Sequence, residues 1–327
     1  MRIGLTYDLR DAYLALGYSE DETAELDKEE TIAGIELALQ QSGHETDRIG
    51  NIFDLQKRLI SGESWDLVFN ICEGMHGISR EAQVPALLDA YSIPYTFSDP
   101  LVLSLTLHKA MTKRILRDSG IPTAEFRTIF NPEEIETVNL PFPLFVKPVA
   151  EGSGKGIDGR STVHNSQQLN EVCIRLLRDY KQEVLIEKFL SGREFTVGIT
   201  GTGDKAICVG VMEVMIDKLA EEQAYSRFIK ENYEGRVRYA PATDAFAEAC
   251  ERVSLAAWRA LGCRDAGRVD VRFDDTGLPC IIEINPLAGL NHIHSDLPIL
   301  MYQRGYQFKD LIDMIVQSAM QRITTSK

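Results

Sequence analysis

Asp270, Glu283, Asn285 and Arg268 have the types and spacing to hold a divalent cation against a phosphate. In RVDVRF, Arg268, Asp270 and Arg272 alternate with Val269, Val271 and Phe273; in CIIEIN, Glu283 and Asn285 alternate with Ile282 and Ile284. Successive strand side chains point to opposite faces, so each run predicts a strand with one polar and one apolar side. The DDTG at 274–277 has turn composition, and the two runs predict a hairpin. Its polar face offers two carboxylates and an amide oxygen, hard ligands of the kind Mg²⁺ takes while bridging substrate phosphates. An exposed face with surface ion pairs, each worth ~0–1 kcal/mol, explains the hairpin alone equally well.

Two further segments tip the balance. In FVKPVAEGSGKGI, Lys147 ends an apolar strand before Pro148, and Gly152, Gly154 and Gly156 surround Ser153 and Lys155. Alternating glycines let backbone amides approach phosphate oxygens, and a loop so built can act as a lid. A Walker loop is excluded because Gly156 follows the GK where Ser or Thr is required. A dinucleotide fingerprint is excluded because the next helix begins about ten residues too late. In VLIEKFLSGRE a strand delivers Glu187, Lys188, Phe189 and Leu190, and Glu194 enters the next strand. Such a hinge can meet a purine edge with backbone groups, sandwich its plane with Phe189 and Leu190, and offer Glu194 to ribose hydroxyls. A plain strand–turn–strand core element fits the local pattern as well.

Taken in this order, the segments FVKP-x3-GSGKGI, VLIEKFLSGREFTV, LGC-x3-GRVDVRF and EIN resemble the ATP-grasp superfamily, and within it the D-alanine–D-alanine ligase family. The resemblance runs from about residue 66 to the C-terminus. It implies an ATP-grasp fold of three α/β sub-domains and an ATP-dependent ligase that joins a carboxylate to an amine through an acyl phosphate, releasing ADP and phosphate. It also implies roles: Lys109 and Lys147 on the ATP phosphates, Glu187 to Leu190 as the adenine hinge, and Glu194 on the ribose. Asp270, Glu283 and Asn285 would bind Mg²⁺, with Mn²⁺ as the alternative ion. Arg268 and the backbone at Gly289 would steady an oxyanion, Lys230 would reach the γ-phosphate, and Ser153 would sit in the closing loop. His76, Glu81 and Ser295 would contact the amino-acid substrates. The family further implies a homodimer in the cytoplasm.

The amino-acid side departs from the family. The expected glycine- and serine-containing segment after the first strand is replaced by residues 8–30, with nine acids in 23 positions. Asp27 or Glu30 stands in for the glutamate that anchors the first substrate's amine. Glu231 replaces a tyrosine after Lys230, and Pro286–Asn291 replaces the usual Ser-Pro-Gly-Met-Thr. An L-amino-acid or natural-product amide ligase, of the kind that completes mycosporine-like amino acids, is therefore the alternative. Arg80, Arg236 and Arg238 are read as solvated arginines, or as contacts to an extra substrate carboxylate. His292 and His294 read as pocket or turn residues, with metal binding the minor alternative. Lys113, Arg114 and Arg117 read as a solvated helix face.

These side chains need elements to hold them. The first hundred residues predict a parallel sheet: strands at 3–7 and 66–71, helices at 29–41, 51–60 and 81–91. A helix at 101–120 is followed by strands at 126–130, 144–149, 183–188, 194–200 and 205–214, with helices at 166–180 and 243–261. The acidic segment 8–30 reads as a surface loop, or as a ligand loop at the carboxyl end of the first strand. Sub-domains at 1–100, 101–190 and 191–327 follow. With 35 basic against 49 acidic residues the formal charge is −14, which argues against a nucleic-acid scaffold. No apolar run nears the ~20 residues of a membrane span, the opening RIGLTY lacks signal-peptide order, and six scattered cysteines predict reduced thiols. The expected partners are amino-acid-like small molecules.

Overall fold

The computed structural model describes residues 1–152, 154–216 and 237–325. Strand β1 (Arg2–Thr6) runs into helix α1 (Arg10–Ala15), then α2 (Glu29–Gln41), β2 (Glu45–Gly50), α3 (Ile52–Ile60) and β3 (Leu67–Asn70). The strands pair in the order β2-β1-β3, all parallel. Ile32, Ile35 and Leu39 of α2 pack on Ile3, Leu5, Leu67 and Phe69, the apolar stripe meeting the sheet. Strand β2 escapes a reading by periodicity because its sequence, ETDRIG, buries only Ile49. It is an edge strand held by charge, with Arg48 paired to Glu29 and Glu36, and Asp47 paired to Arg58.

After α4 (Gln83–Ala90), the helical stretch expected at 101–120 is two helices, α5 (Pro100–Leu107) and α6 (Lys109–Asp118). His108, with φ −88° and ψ 86°, breaks the run, and its side chain caps the amide of Met111. That break puts Lys109 at the first position of α6.

A second sheet joins β4 (Phe126–Ile129), β5 (Leu144–Pro148), β6 (Thr162–Val163) and β7 (Val184–Lys188) in the order β4-β7-β5-β6. Leu144, Val146, Val184 and Ile186 face α7 (Ser166–Tyr180). By alternation Lys147, Leu185 and Glu187 take the other face, where Leu185 packs with Ala110 of α6.

The third sheet is antiparallel, in the order β10-β9-β8-β11-β12, from β8 (Glu194–Thr200), β9 (Ile207–Ile216), β10 (Val237–Pro241), β11 (Ala266–Phe273) and β12 (Pro279–Asn285). Val269, Val271 and Phe273 bury against α8 (Ala245–Leu261) with Trp258, which is fully covered. Gly267 makes room: a Cβ there would lie 2.4 Å from the Asn285 carbonyl and 2.7 Å from the Trp258 ring. Helices α9 (Asp296–Gln303) and α10 (Phe308–Thr325) return to the first sheet, so Leu311, Ile312 and Ile315 share a core with Ile35 and Leu39. Buried Asp265 fastens the join by accepting from Phe97 N, Ser318 and Arg322.

Among the described residues all six cysteines are free thiols, and no helix is long and apolar enough to cross a membrane.

Candidate functional site

The polar face of the β11–β12 hairpin forms as the alternation requires, with one correction. Asp270 stands opposite Glu283 and Arg268 opposite Asn285, but the register slips between Asp270 and Val271. This bulge sends Ile281, not Ile282, into the core beside Ile284, while Ile282 packs with Ala124, Leu190 and Cys280. The bulged strand keeps Glu283 and Asn285 on the face of Asp270. The face continues onto β8, where Thr196 donates to Asp270 Oδ1 at 3.0 Å and Asn285 Nδ2 lies 3.4 Å from Oδ2. Arg268 is held between Asp270, 3.4 Å away, and Asp296. Two carboxylates and an amide on one half-buried face make an oxygen donor set that fits Mg²⁺. Among the described residues no cluster of three His, Cys, Asp or Glu offers a rival metal centre.

Facing the hairpin are the lysines. Lys109 Nζ lies 2.8 Å from Glu283 Oε1 and donates to the carbonyl of Glu151 at 2.5 Å. Lys147 lies 2.9 Å from Glu187 Oε2. Lys113 is not on a solvated face as expected: one helical turn after Lys109, it points with it toward the second sheet. It is 1% exposed, and its Nζ is 2.5 Å from Glu187 Oε1. Burial pushes the Glu187 carboxyl up, but the two ammoniums outweigh it and leave it at about 2.

The predicted hinge lies beyond β7. The amides of Lys188 and Phe189 are spent on the carbonyls of Glu125 and Pro143, while Lys188 Nζ meets Asp275 at 3.1 Å. Leu190 is buried. Glu194 pairs with Arg272 at 3.2 Å, and the Arg272 guanidinium lies 5.2 Å from the centre of the Phe189 ring.

On the same polar face of the hairpin opens a cavity of about 720 Å³, lined by Arg268, Glu283, Asn285, Gly289 and Ser295, and by Glu25, Asp27, Glu73 and Glu81. Part of the acidic segment borders this cavity, while Asp11, Glu20, Asp21, Glu22, Glu29 and Glu30 are exposed. Asp8, Thr23 and Leu26 are buried, and Glu25 and Asp27 line the cavity. Of the segment's carboxylates, Glu25 meets the glycine-rich loop. Its Oε1 accepts from the Gly152 amide at 2.8 Å, and its Oε2 pairs with Arg80 at 2.9 Å. Burial raises the Glu25 carboxyl, but Arg80 and Lys155 win and hold it below the ordinary range. Arg80 is thus no solvated arginine. It is 9% exposed and also donates to the Ala150 carbonyl at 3.1 Å, binding both sides of one joint. Arg238 is exposed as read. Burial pushes the Asp27 carboxyl up to about 7. Glu73 and Glu81, both in the cavity wall, are likewise raised by burial; the Glu81 charge adds to the rise at Glu73, whereas Arg80 opposes it at Glu81.

The turn after β12 is organised by Asn291, which the sequence reading missed. Its Oδ1 accepts the amides of Ile293 and His294, and its Nδ2 donates to Glu30 at 2.8 Å and to Thr31. Ser295 Oγ accepts the Asn291 amide at 3.0 Å. Asparagine after Gly–Leu was the available signal, since its side chain closes turns of this kind. His294 lines the cavity, and the His292 ring packs 5.7 Å from that of Phe308. His76 stands apart: it is exposed, with Nε2 3.2 Å from the Tyr18 hydroxyl. Ser153, Lys230 and Arg236 lie outside the described residues.

With this geometry in place, likeness to known proteins becomes informative. Residues 115–317 match the family model described as D-ala D-ala ligase C-terminus. An uncharacterized protein, y4sG, of Sinorhizobium fredii is 33% identical over 298 residues, covering 87% of this chain and 86% of its own. A D-alanine–D-alanine ligase of Methylobacterium radiotolerans is 34% identical over 264 residues, covering 78% and 81%. Among solved structures, D-alanine–D-alanine ligase from Bacillus anthracis complexed with ATP superimposes with a TM-score of 0.75 at 22% identity, covering 100% of both chains.

Proposed function

Because the chain belongs to the D-alanine–D-alanine ligase family, we propose that its hairpin face and adjoining cavity bind ATP, a metal ion and two amino acids. It has the ATP-grasp fold and is an ATP-dependent ligase forming carbon–nitrogen bonds. The matches favour D-alanine over the L-amino-acid and natural-product alternative.

One observation carries the site reading. Glu283 and Asn285 line the amino-acid cavity, and Glu283 is also paired with Lys109. One polar face of the hairpin is therefore shared by a polyphosphate site and a carboxylate site. In the first step the carboxylate of one amino acid attacks the γ-phosphorus, the bond to the β-bridging oxygen breaks, and ADP leaves. In the second, the neutral amine of the other amino acid attacks the acyl phosphate carbon. Phosphate departs and the amine loses a proton.

Repulsion between an anionic nucleophile and a polyanion is the obstacle to the first step. Lys109 and Lys147 bind phosphate oxygens, Lys230 reaches the γ-phosphate, and Ser153 lies in the loop that covers them. Asp270, Glu283 and Asn285 would hold Mg²⁺ or Mn²⁺, which would supply further charge neutralisation at the phosphates. Arg268 and the Gly289 backbone hold the tetrahedral oxyanion of the second step. The hinge at 188–190 receives the adenine through groups other than the Lys188 and Phe189 amides, which are already bonded, and Glu194 receives the ribose. Ser295 and Glu81 contact the amino acids, with Glu25 the nearest carboxylate to the covering loop. His76, exposed beside Tyr18, is not among the residues that line the cavity.

Three units, 1–100, 101–190 and 191–327, are supported by the three sheets, and the family supports a homodimer working in the cytoplasm. The test is phosphate release from Mg-ATP with single and paired D- and L-amino acids, the products identified by mass. A D-alanyl-D-alanine product supports the reading. Turnover only with another pair replaces the substrate assignment.

A further inference from the structure

Lys113 has no task in the function above, yet it is among the most completely covered side chains of the protein. A buried ammonium is costly unless its donors are met. Here all three are: Glu187 Oε1 at 2.5 Å, Thr123 Oγ1 at 2.6 Å and the Ile281 carbonyl at 3.4 Å. Thr123 sends its own hydroxyl hydrogen to the Ile281 carbonyl at 3.0 Å, so a lone pair is what it turns toward Lys113. Lys113 is saturated and fixed.

Lys147 is different. It is 4% exposed, and among the described residues its ammonium has one hydrogen-bonding side-chain partner, Glu187 Oε2 at 2.9 Å, with the Phe145 ring centre 5.8 Å away. An ammonium has three donors, so two remain. The group of three holds two positive charges and one negative, a net positive charge in a buried place. Without Lys113, Lys147 and Glu187 would form a closed neutral pair, and an incoming anion would compete with an undivided carboxylate.

We propose that Lys113 is a positioning residue for nucleotide binding: it neutralises half of Glu187 and so leaves Lys147 free to serve a polyphosphate. The proposal rests on the reading of Lys147 as a phosphate ligand, and the experiment separates the two. Both lysines follow from α6 and β5 facing one another, with Lys109 and Lys113 four residues apart on a single helix face.

The variants Lys113→Met, Lys147→Met and Lys113→Met/Glu187→Gln are titrated with Mg-AMPPNP by calorimetry, and melting temperature and the KM for amino acid are recorded beside it. Lys113→Met should weaken nucleotide binding about tenfold, the scale of one charge-assisted hydrogen bond. Its melting temperature should hold or rise, because a net buried charge is removed, and the amino-acid KM should stay unchanged. Adding Glu187→Gln should recover most of the affinity, since the amide keeps an acceptor but releases Lys147. Unchanged affinity in Lys113→Met, with Lys147→Met weakened, overturns the proposal alone. Affinity and melting temperature falling together, without recovery in the double variant, assigns Lys113 to structure and overturns it too. Unchanged affinity in Lys147→Met overturns both the proposal and the reading beneath it.

Discussion

The ammonium of Lys109 lies 2.8 Å from Oε1 of Glu283, joining the first residue of α6 to the bulged strand β12 across more than 170 positions of chain. A lysine assigned to phosphate and a carboxylate assigned to metal are thus in contact, so the charges of the reaction are assembled before any substrate arrives. Preorganisation of this kind lowers the cost of placing a polyanion beside a carboxylate.

The metal assignment has a direct consequence. Asp270→Asn or Glu283→Gln should lower phosphate release about a hundredfold or more, with melting temperature nearly kept, because both side chains sit at a half-buried face and not in the core. Chelation should silence the wild type, and Mg²⁺ or Mn²⁺ should restore it. Full turnover in both variants would show that the ion sits elsewhere.

Arg268 is held by Asp270 and Asp296 at the cavity wall, away from the hinge. Arg268→Ala should reduce amide formation about a hundredfold or more, the cost of losing one oxyanion donor, while nucleotide affinity changes little. Calorimetry and product analysis run on the same sample decide this. Parallel loss of nucleotide binding would move the arginine to the phosphate site.

The Glu25–Arg80 pair ties the acidic loop to the glycine-rich loop through Gly152 N and Ala150 O. Arg80→Met leaves the buried Glu25 carboxylate with the Gly152 amide and, as its remaining cation among the described residues, Lys155 at 4.0 Å, and should cost about 3 kcal/mol of stability. The double variant Arg80→Met/Glu25→Gln should melt higher than Arg80→Met. Strict additivity of the two single effects in a denaturation cycle would mean the residues do not interact.

Asp27 makes stability depend on pH. Burial raises its carboxyl to about 7 from 3.8, so between those values the folded protein holds a proton that the unfolded chain has released. Its contribution therefore favours folding on the acid side and declines as pH rises toward 7. Asp27→Asn cannot ionise. Its melting temperature, relative to wild type, should climb between pH 5 and pH 8, with an upper limit of about 4 kcal/mol at the alkaline end. A difference that stays flat across that range would mean the carboxylate has found a cation.

The polar hairpin face, the glycine-rich loop and the two lysines of the resemblance were legible in the sequence because each is local. Period-two alternation, glycine spacing and a lysine at a strand end are set within ten residues or so. The apolar strands and helices of the second and third sheets were legible for the same reason. Edge strand β2 was not, since ion pairs with α2 and α3 replace the missing apolar face. The break at His108 was not either, as the residues on both sides keep helical spacing.

What only tertiary structure decided is charge and partnership. Lys113 and Arg80 look like surface cations when read alone, and each is buried because a distant carboxylate, Glu187 or Glu25, meets it there. Glu25 rather than Asp27 faces the glycine-rich loop because packing turns one side of an acidic segment toward Gly152. A charged side chain carries no periodic signal of its partner, and its burial is repaid only by a contact the chain makes after folding. The sequence by itself therefore determined the class of chemistry and the elements that bear it, whereas the pairing of buried charges, and with it the shape of the cavity beside the hairpin, was settled by long-range packing.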